Sequence, residues 1–282
     1  MAAHGKLASH PVVCACHYAS EFLATFLFVG LLSLAILAFF GMPELTEAWG
    51  AGGFARTLGV VGVCVATLVG VIYSPLGKIS GAHVNPAVSL AFWMEGLLRT
   101  RDFLAYVAAQ VAGATLACLL LAWAFPAAAE RVSLGVSGPV TAWHPALTAF
   151  AVELLLTGLL ISLLFHFLHS NAWIPYTGAA VGVFVFVAAL VTSGLVGLSL
   201  NPARSLAPAL VMGKLDHLWI YLTAPFLGAF LTVHAHRMCS LLKHPTCYRL
   251  CHREGYVERL FQRYVLDDPC RLGPSPTQSE GD

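Results

Sequence analysis

One stretch of sequence occurs twice, first as Gly81-Ala82-His83-Val84-Asn85-Pro86-Ala87-Val88-Ser89-Leu90 and again as Gly197-Leu198-Ser199-Leu200-Asn201-Pro202-Ala203-Arg204-Ser205-Leu206. In each copy Asn is a favoured N-cap and Pro is favoured at the first helical position. A run of helix formers follows, closed by Gly96 or Gly213. Each helix therefore holds about 12 residues and spans roughly 18 Å, about half of a bilayer core. Two half-length helices at matching places in the two halves of a membrane protein indicate the substrate path.

The composition is that of an integral membrane protein. Of the 282 residues, 58% are hydrophobic and 10% are charged, and the mean hydropathy is +0.78. Soluble proteins carry about 25% charged residues. The net charge of +1 gives no bulk field that would attract nucleic acid, and we expect neither a nucleic-acid partner nor a cofactor. The eight cysteines are expected to be reduced thiols and not a disulfide framework.

Six apolar segments have the length that spans a bilayer. They lie at about 18–40, 56–74, 102–125, 146–168, 176–194 and 216–240. Because backbone groups in lipid must be satisfied within a segment, each is expected to be a helix. The predicted fold is therefore an all-α membrane protein with six transmembrane helices and two half-helices in an inverted repeat. We divide the chain into an N-terminal segment (1–17), a membrane-spanning domain (18–240) and a tail (241–282).

The distribution of Lys and Arg predicts the orientation in the membrane. With the N-terminus in the cytoplasm, eleven of the 15 basic residues lie on the cytoplasmic side. We therefore expect a multi-pass protein of the cell membrane with both termini in the cytoplasm.

The repeat extends beyond the ten-residue stretch, to halves at about 18–125 and 146–240. Five further residues of the first half recur at matching places in the second: Glu21, Thr25, Tyr106, Ala109 and Gly113 match Glu153, Thr157, Tyr221, Ala224 and Gly228. Each half has three spans, so the second half enters the membrane from the opposite side. The two Asn-Pro ends can then meet near the midplane.

The chemistry of that meeting point favours water over cations. Two helix N-termini place roughly +0.5 charge each there. An N-cap Asn uses its side-chain oxygen on its own helix, which leaves its NH2 group free for a passing molecule. The residues before each Asn cannot be helical, so their carbonyls can line the path as acceptors. These carbonyls belong to Gly81, Ala82, His83, Leu198, Ser199 and Leu200.

Four charged or titratable residues fall within apolar surroundings. Arg204 lies in the first turn of the second half-helix, at the wrong end to reach the interface, so we place it in the pore. Glu21 and Glu153 are expected to accept hydrogen bonds from the non-helical backbone before each Asn, with a proton relay as the alternative. His83 is either a pore-lining group or gate, or a loop histidine at the cytoplasmic mouth.

These motifs resemble the aquaporin (major intrinsic protein) family over about residues 18–240. The resemblance rests on Asn85-Pro86-Ala87, Asn201-Pro202-Ala203-Arg204-Ser205, the Ser80–His83 lead-in and the two Glu-x-x-x-Thr repeats. It implies a passive, non-catalytic channel in the lipid bilayer, usually a homotetramer with one pore per subunit. Aquaporin-type channels are the standard example of exclusion of protons and cations by an Arg and half-helix dipoles, so the resemblance implies that mechanism too.

Carried over by spacing, the selectivity filter of that family falls on Val65, Ala189, Leu198 and Arg204. Strict water channels have Phe and His at the first two positions. Their absence predicts a wider filter that conducts water and leaks small neutral solutes.

Two other positions bear on the cargo. Ser205 resembles the water-type branch, in which glycerol-type members have Asp. Tyr221 resembles the aromatic residue of water channels, although Leu222 replaces the Trp that usually follows it. A glycerol- or urea-type facilitator remains the alternative.

Two remote functions and one additional role stay open. Ser162, His166 and His169 lie on one helical face and could form a membrane enzyme's nucleophile–base pair or metal site, and Glu21 with Glu153 could serve a proton-coupled transporter. The region after segment six is rich in Cys and His but matches no standard zinc spacing. An amphipathic helix near 257–265 would lie on the membrane surface or against the protein.

Overall fold

The computed structural model describes residues 11–47, 50, 52–140, 144–193, 196–239 and 242–250, and these ranges contain helices and no β-strand. The helices are α1 (Pro11–Ile36, continued by a π-helical turn, Leu37–Gly41), α2 (Pro43–Glu47), α3 (Gly53–Tyr73), α4 (Pro75–Ser80), α5 (Pro86–Met94), α6 (Thr100–Ala124), α7 (Pro126–Val132), α8 (Pro145–Phe167), α9 (Thr177–Thr192), α10 (Pro202–Met212) and α11 (Leu218–Met238).

Among the residues that the structure describes, six helices are long and apolar enough to cross a membrane, which confirms the predicted fold class. They are Ala15–Gly41, Gly53–Tyr73, Thr100–Ala124, Pro145–Phe167, Ile174–Thr192 and Leu218–Met238. Large apolar side chains such as Leu155, Val183 and Val191 are exposed on their outer faces, as expected where the solvent is lipid.

The first helix starts earlier than the sequence predicted. We expected an N-terminal segment up to residue 17 and a first span from about residue 18, but α1 begins at Pro11. Proline is favoured in the first helical turn, and the Tyr18 hydroxyl is held at the start of α6 by donating to Asp102 Oδ1 over 2.6 Å. Residues 11–17 are therefore the first turns of the helix.

The two half-helices are α5 and α10, with nine and 11 residues. Asn85 Oδ1 accepts from the Ala87 N–H at 2.9 Å, and Asn201 Oδ1 accepts from the Ala203 N–H at 3.1 Å. Both caps are those predicted from the Asn-Pro pairs.

Each half of the chain contains the same close contact between its first and third spans. A Cβ atom on Gly113 would lie 2.3 Å from the Phe22 carbonyl oxygen, and one on Gly228 would lie 2.4 Å from the Leu154 oxygen. Only glycine allows α6 to approach α1, and α11 to approach α8, this closely. Because Phe22 and Leu154 directly follow the matched acids, these contacts fix where Glu21 and Glu153 lie.

The candidate pore

The ends of the two half-helices are bonded to each other. Asn85 Nδ2 donates to the Leu200 carbonyl at 2.8 Å, and Asn201 Nδ2 donates to the Val84 carbonyl at 2.7 Å. The expectation that both NH2 groups are wholly free is therefore wrong, because one N–H of each is used on a carbonyl of the other half. An amide NH2 carries two donors, so each Asn retains one more, and both side chains line the central cavity.

The backbone before each Asn adopts a left-handed conformation. Val84 has φ 44° and Leu200 has φ 57°, values that are uncommon outside glycine and costly for a β-branched residue. Strained backbone of this kind persists when its surroundings hold it firmly. The strain has a use here, since these two residues supply the carbonyls that accept from the opposite Asn.

Glu21 holds the backbone of the first half. Its Oε1 accepts from the His83 N–H at 3.0 Å and the Ser80 hydroxyl at 2.7 Å. Its Oε2 accepts from the Val84 N–H at 2.9 Å and Gln110 Nε2 at 2.8 Å.

Glu153 makes the matching contacts in the second half. Its two oxygens accept from the Ser199 N–H at 2.6 Å and the Leu200 N–H at 2.7 Å. Both acids are fully buried. The expected contacts with non-helical backbone are therefore present on both sides.

A cavity of about 370 Å³ runs between the two halves. One wall is apolar and includes Phe28, Leu68, Leu164 and Val185. Polar groups also line the cavity, among them the pore-loop residues, the two Asn side chains and Arg204. The cavity is thus mainly apolar, with its polar groups supplied in part by the two pore loops.

Five of the six carbonyl-bearing residues predicted for the pore wall line this cavity: Ala82, His83, Leu198, Ser199 and Leu200. Gly81 does not, because its carbonyl accepts from the N–H of Leu250 at 3.1 Å. The prediction for Gly81 is therefore wrong. The segment after α11 folds back onto the pore loop at Gly81, and no local sequence pattern predicts such a distant contact.

Three of the four predicted filter residues, Ala189, Leu198 and Arg204, line the cavity, whereas Cys64 lines it in place of Val65. Val65 points toward α9, where its Cγ1 lies 3.4 Å from the position of a Gly182 Cβ. Adjacent helical residues point about 100° apart. An error of one residue in the spacing from Asn85 therefore selects a side chain on the wrong face of α3.

Arg204 is held by a serine chain that the sequence did not reveal. Its Nη1 donates to Ser137 Oγ, which lies 2.9 Å from Ser205 Oγ. Ser205 donates to Ser199 Oγ at 2.6 Å, and Ser199 donates to the Asn201 carbonyl at 2.9 Å. Ser137 belongs to a loop without a motif, and only its contacts identify it.

The residues of the enzyme alternative do not form a nucleophile–base pair. Ser162 Oγ lies 3.3 Å from Nε2 of His236 on α11, while His169 Nδ1 bonds the backbone carbonyl of His166. Among the described residues no group of three potential ligands could hold a metal ion.

The expectation for the cysteines is wrong at one position. Cys247 is disulfide-bonded, whereas Cys16, Cys64, Cys118 and Cys239 are free thiols. Cys251, His252 and the amphipathic stretch near 257–265 lie outside the described residues.

The chain is similar in sequence and in fold to known proteins. The sequence profile of the family described as Major intrinsic protein matches residues 10–236. A probable aquaporin NIP7-1 of Arabidopsis thaliana is 37% identical over 202 residues, 69% of each chain. Aquaporin NIP1-4 of Oryza sativa subsp. japonica is 32% identical over 228 residues, 79% of this chain and 76% of the relative. The X-ray structure of the aquaglyceroporin from Plasmodium falciparum shares the fold, with a TM-score of 0.63 at 22% identity over 81% of this chain and 98% of that one.

Proposed function

Because the chain belongs to the major intrinsic protein family, whose members are passive channels and not enzymes, we propose that its pore conducts water and excludes ions and protons. Membership establishes a multi-pass membrane channel for water, small neutral solutes or both. The observation that carries the finer proposal is the pair of crossed bonds, Asn85 to Leu200 and Asn201 to Val84, at the junction of the half-helices.

Proton exclusion follows from the arrangement at that junction. Both half-helices direct their N-terminal ends at the cavity, which makes the potential there positive. The remaining N–H of each Asn can donate to the oxygen of a passing water. That water then turns its own protons toward acceptors on either side, which interrupts proton hopping. Arg204 adds a second positive charge on the same route.

Selectivity among neutral solutes depends on the width of the filter and the hydrogen-bonding groups on its wall. Cys64 and Ala189 are small, and Ala189 adds no polar side-chain group. We therefore propose that glycerol, urea, ammonia or hydrogen peroxide leak through alongside water.

A glycerol- or urea-type facilitator is the second candidate, favoured by the same two small side chains. Ser205 argues against glycerol as the main cargo, since it resembles the water-type branch, in which glycerol-type members have Asp. Tyr221 carries no weight in this choice, because it is fully buried and packs with Ala149 and Ile220.

Larger side chains at the filter positions test the proposal about the filter. Cys64→Phe with Ala189→His should lower urea and glycerol flux into reconstituted vesicles much more than water flux. Val65→Phe is the matched control, because it adds the same ring one residue away and outside the cavity. If Val65→Phe blocks solutes and the double variant does not, Val65 lines the filter and the assignment of Cys64 is wrong.

We also propose that both termini face the cytoplasm, that the protein resides in the cell membrane and that it forms a homotetramer. The bias of basic residues supports the first, and the family resemblance supports the last. Protease access to a tag at each terminus in sealed cells tests the orientation, and the mass of the detergent complex tests the assembly.

A further inference from the structure

Residues 242–250, which follow α11, contact the pore mouth on the side of the chain termini. The Leu250 N–H donates to the Gly81 carbonyl at 3.1 Å, and Leu250 lines the same cavity as Arg204. Cys247, Tyr248 and Leu250 are buried in the core cluster of the protein. We propose that this segment, the tail plug, closes the mouth and that the channel opens when the plug undocks. This inference rests on the proposed function.

The plug occupies polar groups that would otherwise face water. His83 Nε2 lies 2.9 Å from the Tyr248 carbonyl, and because a carbonyl only accepts, the ring nitrogen donates. Together with the bond to Gly81, this makes two contacts between the pore loop and the backbone of the plug. Both residues had been predicted to face the permeation path, so the plug takes the place of water at the mouth.

The channel body fixes the orientation of His83. Its Nδ1 lies 3.0 Å from Ser89 Oγ, which in turn accepts from Gln110 Nε2 at 3.1 Å. The ring also stacks on Phe92 with centroids 4.8 Å apart. These contacts come from inside the channel, so Nε2 points at the mouth whether or not the plug is docked.

Gly81 allows the backbone of the plug to come close. It has φ +101°, which strains any residue with a Cβ, and a Cβ there would lie 3.1 Å from the Tyr248 oxygen and 3.3 Å from the Arg249 Cα. The mouth is therefore shaped for a peptide segment that lies directly against it.

Hydrogen bonds tie the plug to the surrounding helices, among them a contact of 2.8 Å between His236 Nδ1 on α11 and the Lys243 carbonyl. Thr246 donates through both its N–H and its hydroxyl to the Leu168 carbonyl, each at 2.9 Å. His244 Nδ1 lies 3.1 Å from Glu95 Oε2, with the His side chain 45% exposed, so that pair contributes little. These hydrogen bonds, together with the burial of Cys247, Tyr248 and Leu250, hold the plug in its docked position.

The test uses the full chain and four variants in vesicles, with water flux measured by stopped-flow light scattering. Leu250→Pro in the full chain removes the N–H that binds Gly81, whereas Leu250→Ala keeps it. A chain ending at Cys239 lacks the plug, and a chain ending at Leu250 keeps it while losing the same distal tail.

We expect the chain ending at Cys239 to conduct water fastest. Loss of one hydrogen bond in Leu250→Pro should raise water flux about twofold to tenfold over the full chain, and more than Leu250→Ala does. The chain ending at Leu250 should match the full chain. Thermal melting of each variant establishes that the channel body is folded.

Different failures have different meanings. If every chain conducts water equally well, the plug is wrong and the proposed function stands. If the chain ending at Leu250 conducts as fast as the one ending at Cys239, closure depends on the distal tail and the plug is again wrong. If no folded chain conducts above empty vesicles, the proposed water channel fails and the plug with it.

Discussion

Removing Glu153 should destabilise the channel by an amount that its contacts define. In Glu153→Ala the Ser199 and Leu200 N–H groups lose their acceptor, and a buried unpaired donor costs about 1–3 kcal/mol. The loss is therefore about 2–6 kcal/mol, which corresponds to a fall of roughly 4–24 °C in Tm.

Glu21→Ala should lower the stability by about as much as Glu153→Ala, although Glu21 accepts four hydrogen bonds. The Ser80 hydroxyl lies 3.4 Å from the Leu76 carbonyl, and Gln110 Nε2 also donates to Ser89, so both retain a second partner. The donors left without one are the backbone N–H groups of His83 and Val84. Each alanine variant therefore leaves two backbone N–H groups without an acceptor, so we expect the two variants to lose similar amounts of stability.

Glutamine at either position should be milder than alanine. It keeps one oxygen, so one N–H stays paired and the loss falls to about 1–3 kcal/mol. Thermal unfolding in detergent measures all four variants beside Glu130→Ala, which removes an exposed acid on α7 and should change stability by less than about 0.5 kcal/mol. Two results would refute the backbone-holding role. In one, the Gln variants melt at temperatures as low as the Ala variants do. In the other, the Ala variants melt at temperatures as high as Glu130→Ala does.

Two further predictions concern helix packing and the filter. Gly113→Ala and Gly228→Ala should each lower Tm, since the added Cβ meets a backbone oxygen at 2.3 or 2.4 Å. Gly62→Ala should not lower Tm, since nothing lies within 4 Å of its Cβ. Equal melting temperatures for all three variants would contradict the close contacts. Ser137→Ala should raise urea flux relative to water flux because Arg204 loses its partner, and Ser137→Thr, which keeps the hydroxyl, should restore the ratio; an unchanged ratio in Ser137→Ala would show that Arg204 is held without it.

The features predicted correctly from the sequence are those with local causes. Asn85 and Asn201 could be identified as caps because capping depends on the residue and its next few neighbours. The six spans followed from composition alone, since a bilayer demands about 20 apolar residues per helix. The roles of Glu21 and Glu153 followed from their symmetric placement.

The features that were missed depend on rotation or on distant contacts. Cys64 and Val65 differ by a rotation of about 100°, which spacing from Asn85 across an intervening turn does not determine. Ser137 reaches Arg204 across 67 residues of sequence. Tyr248 reaches His83 across 165 residues, and neither contact has a local signal.

The central claim is that water passes the crossed Asn bonds while protons do not. The most direct measurement records water flux and proton flux on the same vesicles, with a trapped pH dye and the membrane potential clamped, for the chain ending at Cys239. Gramicidin in empty vesicles shows that a proton leak is detected. We predict water flux well above that of empty vesicles and proton flux equal to theirs. Proton flux that rises together with water flux would contradict the account.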